Sequence, residues 1–101
     1  MDIRILNYFL IVAQEENITR AAALLHITQP TLSRQLMQLE EELGVKLFMR
    51  SKHRILLTQH GMLLKRRAQE LIALAEKTKQ ELSQEEVLNG EIAIGSGEYQ
   101  N

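Results

Sequence analysis

The chain has 101 residues, a formal net charge of −1, and 45% hydrophobic against 25% charged residues. That is the balance of an ordinary globular protein with room for one domain and a modest core. It holds no cysteine, which excludes disulfides, thiolate metal sites and cysteine nucleophiles and fits a reducing, cytoplasmic setting. No apolar run is long enough to span a bilayer, and Asp2, Arg4 and Asn7 interrupt the start of the chain where a secretory leader is apolar.

The first helix is predicted over Ile3 to Gln14. Ile3, Leu6, Phe9, Leu10 and Ala13 make one apolar stripe, and Ile5, Tyr8 and Val12 make a second on another side. A helix apolar on two sides needs two partners, its own core and something else, such as a second subunit. Asn17 and Thr19 are helix-start residues, so a short second helix is expected from Arg20 to His26. Ala21, Ala22 and Ala23 let a neighbouring helix approach closely, as a helix-turn-helix requires, although three alanines also simply favour helix.

Thr28 is the expected N-cap of a third helix, Gln29 to Leu43, with Pro30 where its missing N–H costs little and Gly44 as the stop. Leu32, Leu36, Leu39 and Leu43 recur at helical spacing and are expected to be buried. Gln29, Thr31, Ser33, Arg34 and Gln38 fall on other faces. This division suits a helix held rigid and presented to a DNA groove. Leu47 to Met49 and Ile55 to Leu57 are short β-prone pieces around a polar tip, Ser51 to His53. They suggest a hairpin wing that must pack on the helices to be stable.

A long fourth helix is expected from Thr58, as cap, to about Leu88, roughly 45 Å at 1.5 Å per residue. Leu64, Ala68, Leu71, Ala75, Thr78 and Leu82 alternate spacings of four and three, the signature of a paired helix. A helix lying on its own domain is the alternative. Asn89 and Gly90 end it, and Glu91 to Gly95 reads as a strand.

Charge is uneven. Residues 17–60 hold six cations (Arg20, Arg34, Lys46, Arg50, Lys52, Arg54) against Glu40, Glu41 and Glu42, a balance of +3, whereas residues 1–16 stand at −2. A local basic excess is what nucleic acid responds to, although a mixed solvated surface gives the same count.

The run QPTLSRQLMQLEEELGVKLFMR, followed by RILLT and Gly61, resembles the N-terminal DNA-binding domain of LysR-type transcriptional regulators over residues 2 to about 95. The resemblance implies a mainly α fold, a winged helix-turn-helix with a long C-terminal dimerisation helix. It divides the chain into a DNA-binding domain (1–58), a linker and dimerisation helix (59–88) and the opening of an effector-binding domain (89–101), the rest of which is absent. It also implies a homodimer on an inverted-repeat duplex, with a small-molecule effector reaching only the absent domain. Gln29, Pro30, Thr31, Ser33 and Arg34 match the reader positions, Arg50 and Arg54 the basic wing, and Thr19 and Thr28 helix starts that can meet phosphates. Met37 stands where the family is often polar, and His60 where a small residue is usual.

The chemistry of these residues agrees. Arg34 can donate two bonds to guanine O6 and N7, and Gln29 can bridge adenine N6 and N7. Pairing of Arg34 with Glu41 or Glu42 is the surface alternative. Ser33 and Thr31 suit phosphates or a thymine methyl, while Arg50, Lys52, Arg54 and, more weakly, Arg20 supply electrostatics. Lys65, Arg66 and Arg67 read as the solvated face of the linker. An enzyme is not expected. His26, His53 and His60 form no ligand grouping, Ser33 has no evident base, and Gly95-Ser96-Gly97 lacks the residues of a phosphate loop. No cofactor or metal is expected. The competing reading is a helical protein–protein interaction or dimerisation module without DNA readout.

Overall fold

A computed structural model describes residues 1–89. The order is α1 (Ile3–Glu15), α2 (Ile18–Leu25), α3 (Gln29–Leu43), β1 (Phe48–Ser51), β2 (Arg54–Leu57) and α4 (Gln59–Asn89). This is a mainly helical winged helix-turn-helix. The strand expected over Glu91–Gly95 lies outside the described residues.

Each short helix starts on a side-chain cap. Asp2 accepts from the Ile5 amide at 2.8 Å, Asn17 from the Arg20 amide at 2.8 Å, and Thr28 from the Thr31 amide at 3.3 Å, each meeting an N–H with no partner inside its helix. The Asn17 cap moves the start of α2 to Ile18, so Thr19 lies inside the first turn and is not a cap. The helix stops at Leu25 because His26 adopts the left-handed region (φ 60°) and closes the turn through its own N–H. Gly44 (φ 74°) ends α3 the same way, donating to the Glu40 carbonyl at 2.8 Å.

The core joins Ile5, Phe9 and Val12 of α1, Ala21 and Ala22 of α2, and Leu32, Leu36 and Leu39 of α3 to Leu47 and Ile55. Ala21 and Ala22 are buried but Ala23 is exposed, so two alanines rather than three carry the close approach. Phe9 and Phe48 meet with ring centroids 5.3 Å apart, tying the wing to α1. The two stripes expected on α1 are therefore one broad buried face plus a second contact, which within this chain is made by α4. Ile3, expected in the stripe, is 44% exposed. Leu43 also departs from expectation at 37% exposed, because the chain turns at Gly44 and leaves this last helical residue at the rim.

The strands pair antiparallel in the register Phe48↔Leu57 to Ser51↔Arg54, leaving Lys52 and His53 as the tip. β1 starts one residue later than the β-prone pattern suggests, at Phe48, because Leu47 continues the pairing through its carbonyl alone. Its N–H donates to Glu40 Oε2 at 2.7 Å and its carbonyl accepts from the Thr58 amide at 2.9 Å. Thr58 then ties the segment ahead of β1 to the first turn of α4: its hydroxyl donates to the Lys46 carbonyl at 2.7 Å and accepts from the Gly61 amide at 3.0 Å. Gly61 is required by space, since a Cβ there meets the Leu47 carbonyl oxygen and comes within 2.9 Å of Leu57 Cδ2.

Candidate nucleic-acid interface

Burial of Leu32, Leu36 and Leu39, all 4% exposed or less, fixes the rotation of α3 and turns its opposite side outward. Pro30, Arg34, Met37 and Glu41 are exposed there, with Gln29, Thr31 and Ser33 half-buried beside them. Gln29 Nε2 donates to Ser33 Oγ at 3.0 Å, which orients the Gln29 amide and leaves its oxygen and the Ser33 proton to be used outward. The Thr28 hydroxyl is committed to its cap and to Thr31 Oγ1 at 2.8 Å, so both threonines are held in place.

The cations divide into two groups. Arg20 lies 3.8 Å from Glu15 and Arg54 3.2 Å from Glu16. Among the described residues Arg34, Arg50 and Lys52 enter no ion pair. The surface alternative for Arg34 is thus not realised, Glu42 instead taking the N-terminal ammonium at 2.7 Å. Pairs as exposed as those of Arg20 and Arg54 contribute little, and their guanidinium groups exchange readily onto an outside anion. Arg54 has a second task, since the Ile55 amide also donates to the Glu16 carbonyl at 3.1 Å and the two contacts fasten β2 to the end of α1.

A polar groove collects much of the expected site. It is lined by Asn17, Thr19, Gln29, Arg50, Lys52, His53 and Arg54 among others. Thr19, Gln29 and the wing cations Arg50, Lys52 and Arg54 thus share one depression between α2, α3 and the hairpin tip, whereas Arg20, Thr28, Pro30, Thr31, Ser33 and Arg34 lie outside it. His53 was not anticipated there, because its place depends on the two-residue tip. Lys52 takes a positive φ of 39° at that tip.

The proposed seam of α4 separates along its length. Ala68 is fully buried within this chain and Leu64 packs on its own core, so Ala68 leaves the seam and Leu64 is largely spent. Beyond the end of α1 the same stripe emerges, with Leu71 at 42% and Leu82 at 58% exposure and Ala75 and Thr78 between them. Leu74, absent from the heptad reading, flanks it at 61%. Thr78 donates its hydroxyl to the Leu74 carbonyl at 2.8 Å and so presents its methyl without an unmet donor.

Comparison with known proteins decides the family. The model of bacterial regulatory helix-turn-helix proteins, lysR family, matches residues 3–62. The chain belongs to the LysR family. This LysR-family chain is 48% identical over 101 residues to the HTH-type transcriptional regulator BsdA of Bacillus subtilis (strain 168), covering 98% of the chain and 35% of BsdA. It is 41% identical over 96 residues to the DNA-binding transcriptional dual regulator OxyR of Escherichia coli (strain K12), covering 94% of the chain and 32% of OxyR. It therefore spans about a third of the length of these relatives. Among solved structures, the BenM_DBD/benA site 1 DNA complex matches with a TM-score of 0.80 at 36% identity, covering 83% of this chain and 98% of that one. The CbnR_DBD–DNA complex matches with a TM-score of 0.78 at 37% identity, covering 82% and 95%. Among the described residues no helix is long and apolar enough to cross a membrane, and no three His, Asp or Glu residues group as metal ligands.

Proposed function

We propose that this chain is the sequence-specific, duplex-DNA-binding part of a LysR-type transcriptional regulator, a binding protein rather than an enzyme, working in the bacterial cytoplasm where the chromosome lies. Residues 1–58 form the reader, 59–88 the dimerisation helix, and 89–101 lead into an effector-binding domain. α3 enters the major groove, with Arg34 and the Gln29–Ser33 pair meeting base edges and Pro30 and Thr31 beside them. Arg50, Lys52 and Arg54 meet the backbone or minor groove from the wing. Thr19, Thr28 and Arg20 approach phosphates at the helix starts.

One observation carries this reading: among the described residues Arg34, Arg50 and Lys52 have no carboxylate partner, Arg34 being exposed on the outward face of α3 and Arg50 and Lys52 lining the groove that Gln29 also borders. The likeness to two chains solved with DNA supports it. A second copy paired through Leu71, Leu74, Ala75, Thr78 and Leu82 doubles the contacts and fixes the spacing of an inverted repeat. Selection from a random duplex library tests the function. Enrichment of a two-fold symmetric sequence, bound with an affinity that falls steeply with salt, is the expected result. Binding without sequence preference, or association insensitive to salt, overturns it.

A further inference from the structure

Met37 does not fit the polar surface around it. It is 60% exposed on α3, one turn beyond Ser33 and Arg34 and one turn before Glu41. It borders an open groove of about 270 Å³ between α3 and the wing. Met49, itself 52% exposed on β1, lies along the same groove. Leu36, Phe48 and Ile55 supply its apolar lining.

Its charges are positive in effect. Arg50 and Lys46 line it, and so does Glu40. The Glu40 carboxylate is already committed: Oε2 accepts from the Leu47 and Phe48 amides at 2.7 and 3.4 Å, and Oε1 lies 3.9 Å from Lys46 Nζ. With Lys46 and Glu40 cancelling, Arg50 leaves one net positive charge at the edge of an apolar slot, which suits an apolar group borne by a polyanion. On the major-groove face of duplex DNA that group is the thymine C5-methyl, which no other base displays.

We propose that Met37 is a specificity-determining residue that reads one thymine per half-site through its methyl group, with Met49 as the far wall of the slot. The inference rests on the DNA-reading function proposed above. An unbranched thioether is suited to the task, since it adapts its shape to the methyl without needing a hydrogen-bond partner.

The test takes duplexes recovered from the random-library selection with the 101-residue chain. Each thymine is replaced in turn by deoxyuridine, which pairs identically but lacks the methyl. Removal of one buried methyl is expected to weaken binding about fourfold at one position per half-site. Met37→Ala is expected to bind the thymine and deoxyuridine duplexes equally at that position, while keeping the wild-type response at every other thymine. Its high exposure leaves the fold intact, to be checked by an unchanged unfolding midpoint. Equal wild-type affinity for all the deoxyuridine duplexes overturns the inference while leaving DNA reading standing. So does a fourfold loss that persists in Met37→Ala. If no duplex is enriched at all, the underlying function falls and the inference with it.

Discussion

Glu40, near the end of the reader helix, accepts a hydrogen bond from the Leu47 amide at 2.7 Å, just ahead of the wing. A single carboxylate thereby sets the wing against α3 by meeting the Leu47 and Phe48 amides, and its side chain is only 14% exposed.

Glu40→Ala strands a donor at a residue that is 1% exposed. We expect a loss of about 1–3 kcal/mol in urea denaturation. Glu40→Gln keeps an acceptor oxygen and loses less. Equal stability of Glu40→Ala and wild type refutes the anchoring role.

Arg34→Ala removes an exposed side chain that enters no ion pair among the described residues, so the thermal midpoint stays where it is while specific binding weakens. A bidentate base contact is worth about 1–3 kcal/mol, read as a shift in the titration midpoint of a selected duplex. Unaltered affinity shows that Arg34 reads nothing.

Arg50→Ala acts differently. If Arg50 neutralises one phosphate, the slope of log affinity against log salt becomes shallower by about 0.9, with base preference kept. A changed preference in a repeated selection, with the slope constant, assigns Arg50 to base contact instead.

Leu82→Glu places a charge on the exposed continuation of the α4 stripe and should halve the mass seen in sedimentation without unfolding the domain. Ala68→Leu, by contrast, overfills a site with no exposed surface and should cost about 1–3 kcal/mol of stability. A monomeric Ala68→Leu with unchanged stability contradicts this division of the helix.

Gly61→Ala gains helix propensity of roughly 1 kcal/mol. We nonetheless expect net destabilisation, because the added carbon meets the Leu47 backbone carbonyl, which cannot rotate away. A raised melting temperature shows that this approach relaxes easily.

The bounds of α3 and the leucines it buries up to Leu39 were legible because their signals are local. Thr28-Gln29-Pro30 and Gly44 delimit α3 with no help from the rest of the fold. The partner of α1 was not legible, since apolar spacing says that a face needs covering and is silent on whether α4 or a second chain covers it. The same ambiguity placed Ala68 in the seam. The heptad stripe runs unbroken from buried Ala68 to exposed Leu71 and Leu82, and its spacing does not mark where burial ends. Long-range contacts are likewise invisible to pattern: Arg54 reads as a free wing cation until Glu16 is found beside it. Met37 departs from family habit in the sequence, but only the fold brings Met49 and Phe48 to the same groove.

Thr58 gives the molecule a mechanical property. Its hydroxyl fastens the first turn of the long rod to the backbone leading into the hairpin, a linkage made outside the hydrophobic interior. Because α4 also packs on α1 and, through Leu64, on the core, a displacement of the rod is shared between the hairpin and the helical body.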